Sequence, residues 1–135
     1  MNFKEGMYQR LAAGEWLAYH FSRDLNRWWG EGIWDDIKFF SAKHAKRLTD
    51  IVVSMNVRPL PPHMWYIYSP VPPKRWYDAL SSKEVAFNEL YEMVIGFSEL
   101  YGRLINRHKF EEEFLNRHLQ DWELTKRKMR NLMGR

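Results

Sequence analysis

Hydrophobic side chains recur every three or four positions in two stretches of the first half of the chain. The repeat over residues 3–29 consists of Met7, Leu11, Ala18, Phe21, Leu25 and Trp28. The repeat over residues 33–55 consists of Ile33, Trp34, Ile37, Phe40, Ala45, Leu48, Ile51, Val52 and Met55. This spacing predicts two amphipathic helices. Only residues 30–32 separate them, so the two helices are expected to pack as antiparallel neighbours.

The second half of the chain shows the same helical spacing in two further stretches. The first begins around residues 76–80, with Ser81 as the expected N-cap and Glu84 as the third residue of the continuing helix. It carries Phe87, Leu90, Val94, Phe97, Leu100, Tyr101 and Leu104. After a break at residues 106–109, the last helix carries Phe110, Phe114, Leu115, Leu119, Trp122, Met129 and Leu132.

A proline-rich connector joins the two halves. Six prolines lie between residues 58 and 74: Pro59, Pro61, Pro62, Pro70, Pro72 and Pro73. Proline cannot donate a backbone hydrogen bond, so this density excludes a long helix and favours extended chain. An extended connector can run the length of a helix. The sequence therefore predicts a single all-α domain over residues 1–135, a four-helix bundle of two antiparallel hairpins joined by a long crossover.

Composition narrows the classes of function. The chain has 135 residues and no cysteine, which excludes disulfides, thiol catalysis and zinc–thiolate sites. No apolar run approaches the ~20 residues of a membrane span, and the N-terminus lacks the apolar region of a secretory signal. The expectation is a cytoplasmic protein without membrane contact. The aromatic share of 16%, including seven Trp, predicts an aromatic interface and therefore a homo-oligomer.

Two polar residues interrupt the apolar faces of the first two helices. Glu15 continues the stripe of the first helix, and His44 continues that of the second. Glu15 lies about fifteen residues before the turn and His44 about fourteen after it, so at ~1.5 Å per residue they meet at one height. They are either a hydrogen-bonded pair that neutralises itself or a pair of metal ligands, since an unpaired buried charge is costly.

The later helices hold three further candidates. His118 lies at the centre of the apolar stripe of the last helix, and Asp121 lies at its flank. Glu89 lies on the edge of the core face of the third helix. His118 is either a core histidine with one partner or a metal ligand. Glu92, Glu99 and the acidic run 111–113 are expected on solvated faces.

Short segments carry a resemblance to the ferritin-like superfamily. Residues 11–18, Leu-Ala-Ala-Gly-Glu-Trp-Leu-Ala, resemble the first-helix ligand segment of bacterioferritins. Residues 44–50, followed by Pro59-Leu60-Pro61, resemble the second helix of ferritins and its exit. Phe114-Leu115 leading to Asp121 resembles the start of their fourth helix. The resemblance implies an iron site with Glu15, His44 and Asp121 as ligands and a looser match at Glu89. His118 joins these candidates through its place on the core face of the last helix.

The departures from the family pattern concern the two-iron chemistry. Ser41 stands where the family carries the glutamate that bridges two irons, and Thr125 stands where a further fourth-helix carboxylate is expected. Two adjacent cations need bridging carboxylates, so ferroxidase activity is not expected and no catalytic residue is assigned. Two hypotheses remain: iron or other metal binding related to storage, or a helical scaffold that has lost its metal.

A third hypothesis is nucleic-acid binding through the basic end of the last helix. This end consists of Lys126-Arg127-Lys128, Arg130 and Arg135. The same charges are also what the negative end of a helix dipole favours. The net charge of +4 is too small to decide between the two interpretations.

Overall fold

The computed structural model describes residues 1–134, and within that range every regular element is helical. A single 3₁₀ turn, Pro62–Met64, precedes the third helix. The helices are α1 (Phe3–Trp29), α2 (Ile33–Ser54), α3 (Trp65–Tyr68), α4 (Trp76–Ser81), α5 (Lys83–Asn106) and α6 (Glu113–Met133). The prediction of an all-α chain is confirmed. None of the described helices is long and apolar enough to cross a membrane.

The first hairpin forms as its local sequence dictates. A capping box starts α1, because the Asn2 side chain accepts from the backbone N–H of Glu5 and the Glu5 carboxylate reaches back to Asn2. The turn into α2 uses Gly30 and Gly32, whose φ angles of 81° and 155° are unfavourable for residues with a Cβ. The two helices then pack along their length, with Leu11, Phe21, Leu25, Ile37, Leu48 and Val52 buried between them and the rest of the core.

The connector runs alongside α1 from its beginning to its end. Contacts with successive turns of α1 mark its course: Gln9 with Arg58, Trp16 with Trp65, Asp24 with Trp76, and Trp29 with Ala79. Since α2 runs opposite to α1 and the connector returns along α1, α5 starts at the same end as α2 and runs in the same direction. These contacts lead the chain from one end of α1 to the other.

Element boundaries differ from the sequence prediction at two places. The N-cap of α5 is Ser82 rather than Ser81, because Ser82 has an extended backbone that ends α4 and its hydroxyl accepts from Val85 N–H at 3.3 Å. Helix α6 begins at Glu113, which leaves Phe110 in the preceding turn, where its ring packs edge-on against Tyr8.

Charged residues outside the core are partly paired. Glu92, Glu99 and two of the run 111–113 are exposed as expected, but Glu112 is half-buried and pairs with Lys4 at 2.6 Å. Lys126 and Lys128 of the basic end pair with acidic residues of the same chain, Glu123 at 2.9 Å and Asp36 at 3.3 Å. Arg135, the last residue of the predicted basic end, lies outside the described residues. Two of the four basic residues of this end that the structure describes are thus paired within the chain.

The connector is seated in the groove between α1 and α5 by two glycines. Ser69 and Pro70 lie over Gly14, where an added Cβ would lie 3.1 Å from the Ser69 hydroxyl. Val71 lies over Gly96, where an added Cβ would come within 2.3 Å of a Val71 methyl group. No real Cβ tolerates that approach, so Gly96 is required for the close contact between α5 and the connector.

Replacing Gly96 with Ala is expected to lower the free energy of unfolding by about 1–3 kcal/mol, because Val71 must move out of a well-packed groove. Gly102→Ala is the matched control on the same helix, since nothing lies within 4 Å of its added Cβ. Helix propensity alone should make that control more stable by about 0.5–1 kcal/mol. Urea denaturation followed by circular dichroism measures both, and Val71→Ala should rescue Gly96→Ala. Equal effects of the two glycine substitutions would contradict the seating of the connector.

Candidate metal centre

A buried carboxylate lies where the four long helices meet. Glu15 on α1 is 0% exposed, and its Oε2 atom is within hydrogen-bond distance of groups from the three other long helices. These are Nδ1 of His44 at 3.0 Å, the hydroxyl of Tyr101 at 2.8 Å and the indole Nε1 of Trp122 at 3.0 Å. An ionised carboxylate only accepts, so all three groups donate to it. Among residues 1–134, no group forms a hydrogen bond with the other oxygen, Oε1.

His44 lies between two carboxylates. Its Nδ1 faces Glu15, and its Nε2 lies 2.8 Å from Oδ2 of Asp121 on α6. Both ring nitrogens therefore donate, which requires a protonated imidazolium. Burial of the ring works against its charge, but Glu15 and then Asp121 outweigh burial and raise the pKa of His44 above 6.5.

Asp121 is the member of this network that reaches the surface, with 21% of its side chain exposed. Burial tends to raise the pKa of Asp121, but hydrogen bonds from His44 and Lys43 lower it below its ordinary value. The Lys43 ammonium lies 2.9 Å from the same oxygen, Oδ2, that binds His44. Alternating cations and anions thus form one row from the surface to the core, in the order Lys43, Asp121, His44 and Glu15.

His118 stacks on His44, with ring centroids 3.8 Å apart and 19° between the planes. Its Nδ1 lies 3.0 Å from the Tyr101 hydroxyl. Tyr101 gives its only hydrogen to Glu15, so it must accept from His118, which assigns the hydrogen of the neutral ring to Nδ1. Burial, followed by the charges of His44 and Arg47, lowers the pKa of His118 to about 2. Its Nε2 is buried, and the described part of the chain offers it no hydrogen-bond partner.

These residues form a group that could hold a metal ion. One ligand atom from each of Glu15, His44 and His118 lies within 4.8 Å of the others, and all three side chains are buried. Two imidazoles and one carboxylate suit first-row divalent metals such as iron and zinc. Two unpaired acceptors, Glu15 Oε1 and His118 Nε2, are already free in this centre. The residues therefore fit a metal, provided that His44 gives up a proton and its stack with His118 opens.

The structure places the other expected ligands elsewhere. Glu89 is buried but lies outside the group, since its two oxygens bind Lys74 N–H at 3.1 Å and Arg75 Nε at 2.8 Å, where they anchor the end of the connector. Asp121 lies outside the group and forms a hydrogen bond with His44. Ser41 is 0% exposed, as expected for the position of the absent bridging carboxylate, and its hydroxyl has no partner.

Tyr101 and Trp122 are site residues that helical periodicity alone assigns to the apolar core. Both are 0% exposed and both bind Glu15 through their polar atoms. Burial, together with Glu15, raises the pKa of Tyr101, so its hydroxyl remains a donor. The sequence does contain a clue to this role. Buried Tyr and Trp side chains need hydrogen-bond acceptors, and a glutamate on a core face can supply one.

Comparison with known proteins assigns no family to the chain. No family model matches it, and the searches of curated proteins and of solved structures return no match. The likeness to ferritins therefore stands on the short segments around Glu15, His44 and Asp121, and the functional interpretation stands on the contacts of these side chains.

Proposed function

We propose that the chain is a ferritin-like helical protein that binds one divalent transition-metal ion through Glu15, His44 and His118. The observation that carries the proposal is the convergence of the three side chains within 4.8 Å in a buried centre. A buried acceptor without a partner calls for an explanation in a folded protein, and a bound ion is one that suits a carboxylate and an imidazole together. Here both the carboxylate and one imidazole have such an atom.

The helix arrangement supports the ferritin-like part of the proposal. Polar side chains of the centre come from all four long helices, and a crossover along α1 makes α2 and α5 parallel, as in bundles of two hairpins with one long connection. The donor set favours one metal ion rather than two, because Ser41 supplies no bridging carboxylate. We infer metal binding, with iron as the first candidate, and no two-iron oxidation.

The residues around the metal site would keep water out and hold the ligands. Trp122 and Tyr101 fix the Glu15 carboxylate, and the stack of Trp122 on Phe97, at 5.3 Å between ring centroids, closes the centre toward α5. A bound iron would supply Lewis-acid or one-electron chemistry. Metal uptake displaces the proton of His44, so affinity should strengthen as the pH rises.

The purified chain is expected to take up one equivalent of Fe(II), Zn(II) or Co(II), measured by elemental analysis and native mass spectrometry after anaerobic titration. His44→Ala and His118→Ala should each abolish stoichiometric uptake, because two remaining protein ligands hold a divalent ion weakly. The exposed His63→Ala is the matched control and should bind as the unmodified chain does. Ser41→Glu should increase metal occupancy by restoring a carboxylate one turn before His44.

Two results would contradict the proposal. Absence of metal from all of these proteins would mean that the centre is a purely structural network. Rapid, stoichiometric oxidation of two irons by the unmodified chain would show that other carboxylates supply a bridge, and the single-metal assignment would then be wrong.

The second candidate function is a non-catalytic scaffold that self-associates. It is favoured by large apolar side chains on the surface, among them Phe39 at 64%, Ile67 at 75% and Tyr77 at 85% exposure. The same native mass measurement distinguishes the two candidates. A metal-free oligomer supports the scaffold, whereas a metal-loaded monomer supports the metal protein alone.

A further inference from the structure

The two ring nitrogens of His44 have different surroundings. Nδ1 faces Glu15 in the closed interior, whereas Nε2 faces Asp121, which is partly exposed. The two nitrogens of an imidazole point away from one another, so an ion bound at one nitrogen leaves the other free to keep its hydrogen bond. The partner of the second nitrogen then decides which nitrogen is offered to the ion.

We propose that Asp121 is a positioning residue for the metal centre, which holds the Nε2–H of His44 so that Nδ1 is the nitrogen presented to the ion beside Glu15. This inference rests on the proposed function. Asp121 is not one of the three side chains whose ligand atoms converge, so the geometry gives it a role different from the ligand role that the resemblance implies for it. A carboxylate that binds the far nitrogen of a ligating histidine fixes both its tautomer and its ring orientation.

Lys43 holds Asp121 in that role. Its ammonium lies 2.9 Å from the oxygen that accepts from His44, and Lys43 and His44 are adjacent on α2. Asp121, on α6, is thereby fixed by two neighbouring residues of the opposite helix. Asp121 therefore holds the His44 ring from outside the group of three ligands. The Asp121 carboxylate contacts the ring, and Lys43 contacts that carboxylate.

The test compares Asp121→Ala and Asp121→Asn with the unmodified chain, using Co(II) as the probe. Both the dissociation constant and the visible absorption spectrum of the bound ion are measured at one pH. Asp121→Ala should weaken Co(II) binding by about 10–100-fold, the usual effect of losing such a partner. Asp121→Asn should lose less, because its amide oxygen can still accept from Nε2–H. The Co(II) spectrum should be the same in all three proteins, since none of the ligands changes.

Asp50→Asn and Asp50→Ala are the matched controls, because Asp50 is an exposed aspartate on α2. They make the same changes of charge and should leave Co(II) affinity within about twofold. Thermal denaturation of each metal-free variant shows whether it is folded. The asparagine variant keeps the test decisive if the alanine variant does not fold.

Three outcomes overturn the positioning role. A changed Co(II) spectrum in Asp121→Asn would make Asp121 a ligand. Unchanged affinity in a folded Asp121→Ala protein would remove its role while leaving the proposed metal function intact. Failure of the unmodified chain to bind Co(II), Zn(II) or Fe(II) would refute the proposed function itself, and the positioning role with it.

Discussion

The free energy of unfolding of the metal-free protein should be greatest near pH 6.5 and should fall on both sides of that value. The reason is that two stacked histidines have shifts of opposite sign. The pKa of His118 is lowered to about 2, and that of His44 is raised above 6.5. In the unfolded chain both return to about 6.5, so the acid limb of the pH profile reports chiefly His118 and the alkaline limb reports His44.

The acid limb belongs to His118. Below pH 6.5 the unfolded chain takes up a proton at His118 while the folded chain does not, so stability falls as the pH falls. The slope contributed by one such group approaches about 1.4 kcal/mol per pH unit. His20, whose pKa is lowered by burial and by Arg23, adds a smaller contribution of the same sign.

The alkaline limb belongs to His44. Above pH 6.5 the folded chain keeps the proton on His44 while the unfolded chain loses it. The stabilisation is therefore fully present below pH 6.5 and is lost as the pH rises through the raised pKa of His44. Glu15 and Asp121 cause the rise in the pKa of His44. The alkaline limb depends on this one titrating ring, so it should vanish when His44 is replaced.

Urea denaturation in the presence of EDTA, at intervals from pH 4.5 to pH 9, measures the profile. His118→Phe should flatten the acid limb down to the range where carboxylates titrate, and His44→Phe should remove the alkaline limb. His63→Ala is the control, because His63 is exposed and should leave both limbs unchanged. An acid limb that persists undiminished in His118→Phe would show that the buried neutral ring is not its source.

Helical periodicity, helical rise and loop length were sufficient to predict the long helices and part of the candidate site. The height of Glu15 opposite His44 followed from helical rise and a three-residue turn, and their Nδ1–Oε2 contact of 3.0 Å agrees with it. His118 could be placed on a core face from periodicity alone. In each case the residue lies on a long helix whose neighbour is fixed by a short loop or a strong apolar stripe.

Sequence reasoning failed where the position depends on the connector. Glu89 lies at the edge of a predicted face, and periodicity cannot show that Lys74 and Arg75 return there to bind it. The N-cap of α5 lies one residue later than the sequence pattern predicts, for a similar reason. Ser81 and Ser82 are equally suitable by type, and the extended backbone needed between α4 and α5 selects Ser82.

Removal of the Glu15 carboxylate should cause the largest loss of stability of any single substitution in the centre. Glu15→Ala leaves the His44 charge, the Tyr101 hydroxyl and the Trp122 indole without their shared acceptor. Breaking a buried ion pair by removing one partner costs about 3–5 kcal/mol, since the remaining charge is uncompensated. Glu99→Ala, an exposed glutamate on α5, is the control and should stay within about 0.5 kcal/mol. Urea denaturation at pH 6.5 with EDTA measures both free energies.

The double variant Glu15→Leu with His44→Leu separates stability from function. Replacing both members of a buried ion pair with apolar side chains of similar size is often neutral or stabilising. This protein should therefore recover the part of the Glu15→Ala loss that comes from the uncompensated His44 charge, while the Tyr101 and Trp122 donors stay without their acceptor. It should bind no metal, because only His118 of the three ligands remains. A double variant that is as stable as the unmodified chain but metal-free would mean that the polar centre is not needed for folding, which leaves binding as its physical reason. A double variant as unstable as Glu15→Ala would contradict this, and would make the network of Glu15 with Tyr101 and Trp122 the element that holds the four helices together.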